Sequence, residues 1–285
     1  MSMLFHSTAW HAARHFGRNP LSIVGGLLVC AIIGAALFAP WLAPYPGHAG
    51  TFVDFANANQ PPSLRHWFGT DLVGRDIFSR VLFGYRTSLV LGCVVLAIAA
   101  PLGSLLGLMA GYFGGMVERA IMRLTDIFLS LPALIVAMTI LGLLRPSQIF
   151  AMMAVSFVWW PWYTRLVYGL VKSIRLEGYV IAAELIGASH TRILLGEILP
   201  NCAPTILTKM SVDMGLVILF GASLSYLGLG APAPIPDLGT MVAEGGNYLP
   251  DLWWLSVSAG LAVFIAVLGF NLLGDGLSDI YGIDT

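Results

Sequence analysis

Lys209 and Asp213 stand one helical turn apart, early in an otherwise apolar stretch of the chain. For a helix starting near residue 204, a rise of about 1.5 Å per residue carries Asp213 roughly 14 Å along the axis. Ionisable groups that deep in an apolar environment are costly and mark functional positions. The pair either neutralises itself or presents charge to a passing solute. A second set of charges lies in GTDLVGRDIFSR, residues 69–80, where Asp71 precedes Arg75 and Asp76 precedes Arg80 by four residues. On a helix each such acid-before-base pair contributes about 0.2–0.5 kcal/mol. That spacing predicts a short surface helix, and the same charges suit a gate or docking surface. Trp159, Trp160, Trp162 and Tyr163 surround Pro161. They suit a packed kink and interfacial anchor, or, through Trp160 and Trp162, a sequence-tolerant lining for a solute path.

Other chemistries lack their residues. A phosphate-cradling P-loop needs Gly-Lys-Ser/Thr, but the lysines are Lys172 and Lys209, preceded by Val171 and Thr208. This chain cannot hydrolyse ATP by that route. Cys30, Cys93 and Cys202 have neither disulfide-framework nor zinc spacing. His6, His11, His15, His48, His66 and His190 all fall outside the expected spans. His11 and His15 have the spacing to grip a metal, but on an exposed tail. An intramembrane enzyme would need a convergent set of His, Cys and acidic residues within the apolar runs, and none is apparent.

The elements that carry these residues follow from where charge is missing. The 285 residues include 14 basic and 15 acidic ones, 10% charged against 58% hydrophobic, where an average soluble chain is about 25% charged. With a mean hydropathy of +0.84, this excludes an ordinary soluble enzyme and a disordered chain. A net charge of −1 gives no basis for binding nucleic acid. Long uncharged windows cover 19–53, 87–117, 127–144, 146–164, 214–236 and 252–274. About 20 helical residues cross a bilayer core. The runs are continuously apolar rather than alternating, which favours helices over a barrel. Membrane spans are expected near 21–43, 87–111, 120–144, 147–170, 204–229 and 252–274.

An even number of spans puts both termini on one side. Arg14, Arg18, Arg119, Arg123, Lys172, Arg175 and Arg192 fall on that side, while Arg65, Arg75, Arg80, Arg86 and Arg145 fall on the other. Positive residues in short segments favour the cytoplasm, so the termini, 1–20 and 276–285, are expected to be cytoplasmic. Trp41, Tyr45, Trp253 and Trp254 then sit at the outer interface. Two connections are too long to be mere linkers: the external segment 44–86, and 171–203 within the helical core 87–275.

Within the second of these runs YVIAAELIGASHTRILLGEILPN, residues 179–201. Ala182, Ala183, Gly187 and Ala188 give a smooth face that a partner can approach closely. Gly187 can break the helix, Ser189 suits the N-cap of a second one, and Pro200 is expected to end the element. The A-A-x-x-x-G core with its distal I-L-P resembles the coupling loop of permease subunits of ABC importers. Five blocks in order, HWFGTDLVGRDIFSR, GYFGG with MRLTD, the 179–201 loop, LSYLGLG and NLLGDGLSD, resemble the smaller permease type of the dipeptide/oligopeptide/nickel family.

The resemblance implies an all-α polytopic fold with six transmembrane helices, that of a type I ABC importer permease in a bacterial inner membrane. It implies a homologous permease partner, two cytoplasmic ATPases that bind the ATP and Mg, an external solute-binding protein, and no cofactor in this chain. It assigns Tyr179, Ala182, Ala183, Glu184, Gly187, Ala188, Ser189, Arg192, Leu199 and Pro200 to ATPase coupling. Gly69, Thr70, Asp71, Gly74, Arg75, Asp76 and Arg80 fall to the external gate or docking surface, and Trp160, Trp162, Lys209 and Asp213 to the path. Ile181 and Glu197 depart from the common pattern. The expected solutes are di- or oligopeptides, with nickel or metal chelates as the alternative. A self-sufficient secondary transporter would show internal repeats, and no convincing one is seen.

Overall fold

Inside a bilayer no water satisfies backbone groups, so long uncharged runs must close their hydrogen bonds within one segment. The computed structural model describes residues 20–144 and 146–281, and these are helices joined by turns, with one isolated bridge between Thr70 and Asp76. Arg14, Arg18, Arg145, the His11–His15 pair and the chain's last four residues lie outside the described residues.

The helices are α1 (Pro20–Leu37), α2 (Ala39–Leu42), α3 (Ile77–Phe113), α4 (Gly115–Ser130), α5 (Ala133–Gly142), α6 (Gln148–Ile174), α7 (Gly178–Leu185), α8 (His190–Arg192), α9 (Leu199–Tyr226), α10 (Leu238–Gly246) and α11 (Trp253–Tyr281). A π-helical segment, Ile193–Ile198, joins α8 to α9.

Each expected span falls on helix, with four differences, the first being that span 21–43 is a long helix to Leu37 followed by the separate α2. Pro20–Leu37, Ile77–Phe113, His190–Tyr226 and Trp253–Ile280 are long and apolar enough to cross a membrane. The expected third span, 120–144, is divided into α4 and α5, which meet at 84°. Leu131 between them is extended, with ψ 138°, because the ring of Pro132 bars the preceding residue from helical dihedrals. The fourth, α6, is less apolar because of its Trp, Tyr and Pro cluster and Arg165, yet its 27 residues reach about 40 Å. The second begins ten residues early, at Ile77, because Asp76 caps it.

The largest helix interface joins α3 to α6. Gly103, Gly107 and Gly111 stand one turn apart on α3, and there the backbones touch. A Cβ on Gly103 would lie 2.3 Å from the Trp160 carbonyl, and one on Gly111 2.7 Å from Val171 Cβ. Small residues at this spacing let membrane helices approach where hydrophobicity alone gives no drive. Gly25 against the α11 backbone and Gly274 against Val212 of α9 do the same elsewhere. Besides a small cluster around Ala39, Ala43 and Leu82, two large apolar cores result. One joins α3, α5, α6 and α9, and the other joins α1, α10, α11 and the start of α3. The helix α3 separates two working ends, one at Asp76 and one beside Gly187.

Candidate functional site

At the Gly187 end, α7 closes in a Schellman turn. Gly187 takes φ +77°. Its N–H donates to the Glu184 carbonyl at 3.0 Å, and the Ala188 N–H donates to the Ala183 carbonyl at 3.0 Å. The Ser189 hydroxyl then accepts from the Arg192 N–H at 3.4 Å and starts α8. The expected helix, break and second helix are therefore present. Val180, Ile193 and Ile198 are buried in the core below and anchor the element, and the Tyr112 hydroxyl lies 2.9 Å from His190 Nδ1. Tyr179, Ala182, Glu184, Gly187, Ser189, Arg192 and Pro200 are exposed or partly so, while Ala183, Ala188 and Leu199 are half-buried. Leu185 and Ile186 are 82% and 81% exposed at the tip, an apolar projection with nothing among the described residues to cover it.

Pro200 does not end the element. Helical structure runs from His190 to Tyr226, through Pro200 and Pro204. The π segment before Pro200 widens the turn where its ring would otherwise meet the carbonyl one turn back.

At the Asp76 end the expected surface helix is absent. Residues 69–76 form a turn that pairs with 54–60. Thr70 N–H donates to the Gln60 carbonyl at 2.9 Å, and Asp54 N–H to the Val73 carbonyl at 2.8 Å. Gly74 has φ +83°, and a Cβ there would stand 2.0 Å from the Asp54 carbonyl oxygen. Asp71 does hold Arg75, Oδ2 to Nε at 2.7 Å, while its Oδ1 accepts the Val73 and Arg75 N–H groups. The Asp76–Arg80 pair does not form. Arg80 turns to Asp71 at 3.7 Å. Asp76 accepts from His66 Nδ1 at 2.9 Å, from Ser79 Oγ at 2.6 Å and from Ser79 N–H at 2.8 Å, as the N-cap of α3. Thr70, Asp71, Asp76 and Arg80 are buried. These charges brace the inside of a cap more than they decorate a surface.

Sequence reasoning passed over two histidines here. His48 Nδ1 accepts the Asp76 N–H at 2.9 Å, so this nitrogen carries no proton. Its ring stacks on Phe52, with centroids 3.9 Å apart, and on Tyr45. Burial holds the His48 pKa below its ordinary 6.5, against the raising influence of Asp76, Asp71 and Asp54. Also missed was α10, whose N-cap Asp237 accepts from Thr240 N–H at 3.1 Å and Ser225 Oγ at 3.0 Å. Burial pushes this carboxyl up from the usual range. The D-x-x-T spacing was its available signal.

Between the two ends, Lys209 Nζ meets Asp213 Oδ1 at 2.6 Å, and Trp159 Nε1 donates to Asp213 Oδ2 at 3.1 Å. Asp213 and Trp160 are buried, whereas Trp162 is 48% exposed and the Lys209 side chain 30%. Of the four expected path residues, only Trp162 and Lys209 present side chains to their surroundings. A further polar cleft between α4 and α6 is held by Glu118 with Lys172 at 3.0 Å and Tyr168, and by Asp126 with Arg165.

The chain matches the family described as binding-protein-dependent transport system inner membrane component over residues 103–282, and the N-terminal TM domain of oligopeptide transport permease C over 7–62. It is 42% identical to the probable D,D-dipeptide transport system permease protein DdpC of Escherichia coli K12, covering 92% of this chain and 87% of the relative. It is 38% identical to the dipeptide transport system permease protein DppC of Alkalihalophilus pseudofirmus, covering 95% and 88%. To the glutathione transport system permease protein GsiD of Escherichia coli O157:H7 it is 40% identical, covering 95% and 89%. Its fold is similar to a chain of the inward-facing MetNI methionine ABC transporter, with a TM-score of 0.57 at 18% identity, covering 73% of this chain and 96% of that one.

Proposed function

From the premise that this chain belongs to the family of binding-protein-dependent transport system inner membrane components, we propose that it forms, with a homologous permease, the translocation path of an ATP-driven peptide importer. The solute class rests on relatives at 38–42% identity that are named for dipeptides, D,D-dipeptides and glutathione. The termini and the Gly187 end face the cytoplasm, and the Asp76 end faces outward toward a solute-binding protein.

The element that carries this reading is the exposed α7–Gly187–α8 turn, because α8 at its far end runs without interruption into α9. Two cytoplasmic ATPases hold the ATP and Mg, and their closure pushes on Leu185, Ile186 and the small residues Ala182, Ala183 and Ala188. That push travels along α9 to the path and alternately opens its two ends. At the outer end, the braced turn 69–76 forms the gate and docking surface. The chain itself performs no catalysis and holds no cofactor.

The test is chemical cross-linking in membranes that hold the complete transporter. A cysteine at Ala182 or Ile186 is expected to cross-link to an ATPase subunit, in a yield that changes when ATP is added. A cysteine at Phe55, which is exposed at the Asp76 end, is not. Purification without any ATPase partner, or uptake indifferent to ATP, defeats the proposal.

A further inference from the structure

Two ionisable groups lie within the apolar length of α9, and they are not equally available. Asp213 is fully buried, with its carboxylate taken by Lys209 and Trp159. Lys209 keeps 30% of its side chain exposed. Its ammonium carries three N–H donors, and Asp213 Oδ1 takes one of them. The pair is neutral as a whole, but its outward end is positive.

The position of that end is set by Asp213. A lysine in this part of a membrane helix would normally bend back toward the nearer interface. Lys209 instead reaches its neighbour one turn further along α9, from a position about 15 Å beyond Leu199. Leu216 follows on the same side of the helix, seven residues on, and is exposed. The opening is local to Lys209: on the same side Cys202 and Asp213 are fully buried and Phe220 packs on Trp159. A cation fixed at such depth against hydrocarbon would be costly, so the local opening at Lys209 suits a path that admits polar groups.

We propose that Lys209 reads negative charge in the translocation path by binding the carboxylate of the transported solute, with Asp213 and Trp159 as positioning residues that hold its ammonium at depth. This rests on the peptide reading above, since every peptide with a free C-terminus carries such a carboxylate. The bond is a charge-assisted one of the kind made between ammonium and carboxylate.

Removing Lys209 alone would leave a buried, unpaired carboxylate, so the variant to use is K209Q/D213N, which removes both charges and keeps hydrogen-bonding side chains. Uptake of a dipeptide and of the same dipeptide as its C-terminal amide is measured in proteoliposomes that hold the complete transporter and its binding protein. The ratio of carboxylate to amide uptake is expected to fall about tenfold in K209Q/D213N and to be kept in K209R. In parallel, K209C/D213N is made with Cys30 and Cys93 replaced by serine, and is exposed to a membrane-impermeant methanethiosulfonate. Labelling at position 209 is expected. An unchanged uptake ratio, or no labelling at position 209 in a transporter that carries peptides, overturns the role of Lys209. A wild-type transporter that carries neither peptide form overturns the peptide reading itself, and the carboxylate assignment with it.

Discussion

Gly107 of α3 faces Val167 of α6 so closely that a Cβ on the glycine would stand 2.8 Å from the valine Cβ and 2.7 Å from the Thr164 carbonyl. No such atom fits without moving a helix. Gly107→Ala is expected to destabilise the protein by about 1–3 kcal/mol, the usual cost of overpacking a tight interface. Gly142→Ala, at a position with open space around it, is the control. Thermal unfolding of the detergent-purified protein measures both. Equal midpoints for the two variants would mean that the α3–α6 approach is not a constraint.

Gly187 calls for the opposite outcome. It has open space around it but a φ of +77°, so Gly187→Ala meets only the left-handed backbone penalty of about 1–2 kcal/mol. The strain falls on the α7–α8 turn, and the core beneath is untouched. Global unfolding is expected to shift by no more than that penalty, while transport-coupled ATP turnover drops several-fold. Gly187→Asn, which tolerates this conformation better, is expected to fall between the two.

Asp76 ties three donors to one carboxylate. Asp76→Ala leaves Ser79 N–H, Ser79 Oγ and His66 Nδ1 without that acceptor, and is expected to cost about 3 kcal/mol. Asp76→Asn keeps an acceptor oxygen and is expected to lose less. Amide hydrogen exchange at Ile77–Arg80 distinguishes the two, and identical protection in both variants would count against the cap.

The His48 contact makes the same region sensitive to acid. Because the folded protein holds the His48 pKa below 6.5, the native state binds fewer protons than the unfolded state below that pH. The contribution is fully present above 6.5 and is lost as pH falls through 6.5 toward the lowered value. Protonated Nδ1 cannot accept the Asp76 N–H. Protection of the 69–76 amides, taken relative to their intrinsic exchange at each pH, is expected to fall as pH drops below 6.5, and His48→Gln, which keeps an acceptor without the titration, is expected to flatten the dependence.

What could be read in advance divides along the range of the interactions. The Schellman turn at Gly187 and the cap at Ser189 depend on neighbours within five residues, and both were legible. The six apolar stretches were legible for the same reason, since a helix closes its hydrogen bonds locally. The turn at 69–76 was not, because its shape depends on Gln60, Asp54 and His48, far back in the chain. Spacing placed Asp76 opposite Arg80, but the long-range partner His66 and the α3 cap took the carboxylate. In the same way, the tryptophan that touches Asp213 is Trp159 and not Trp160, a matter of the register of α6 against α9 that no single helix reveals. The 84° turn before Pro132 had a visible cause in the proline. Its size depends on what α4 and α5 each pack against.

The continuity of α8, the π segment and α9 has a mechanical consequence. From His190 to Tyr226 they make a rod of 37 residues, about 55 Å long. A rod of that length is a lever: tilted by about 10° at one tip, it displaces the other by about 10 Å. Lys209 and Asp213 ride near its middle and travel roughly half as far. A tilt set at the Gly187 end would thus be felt most at Tyr226 and about half as much at Lys209 and Asp213.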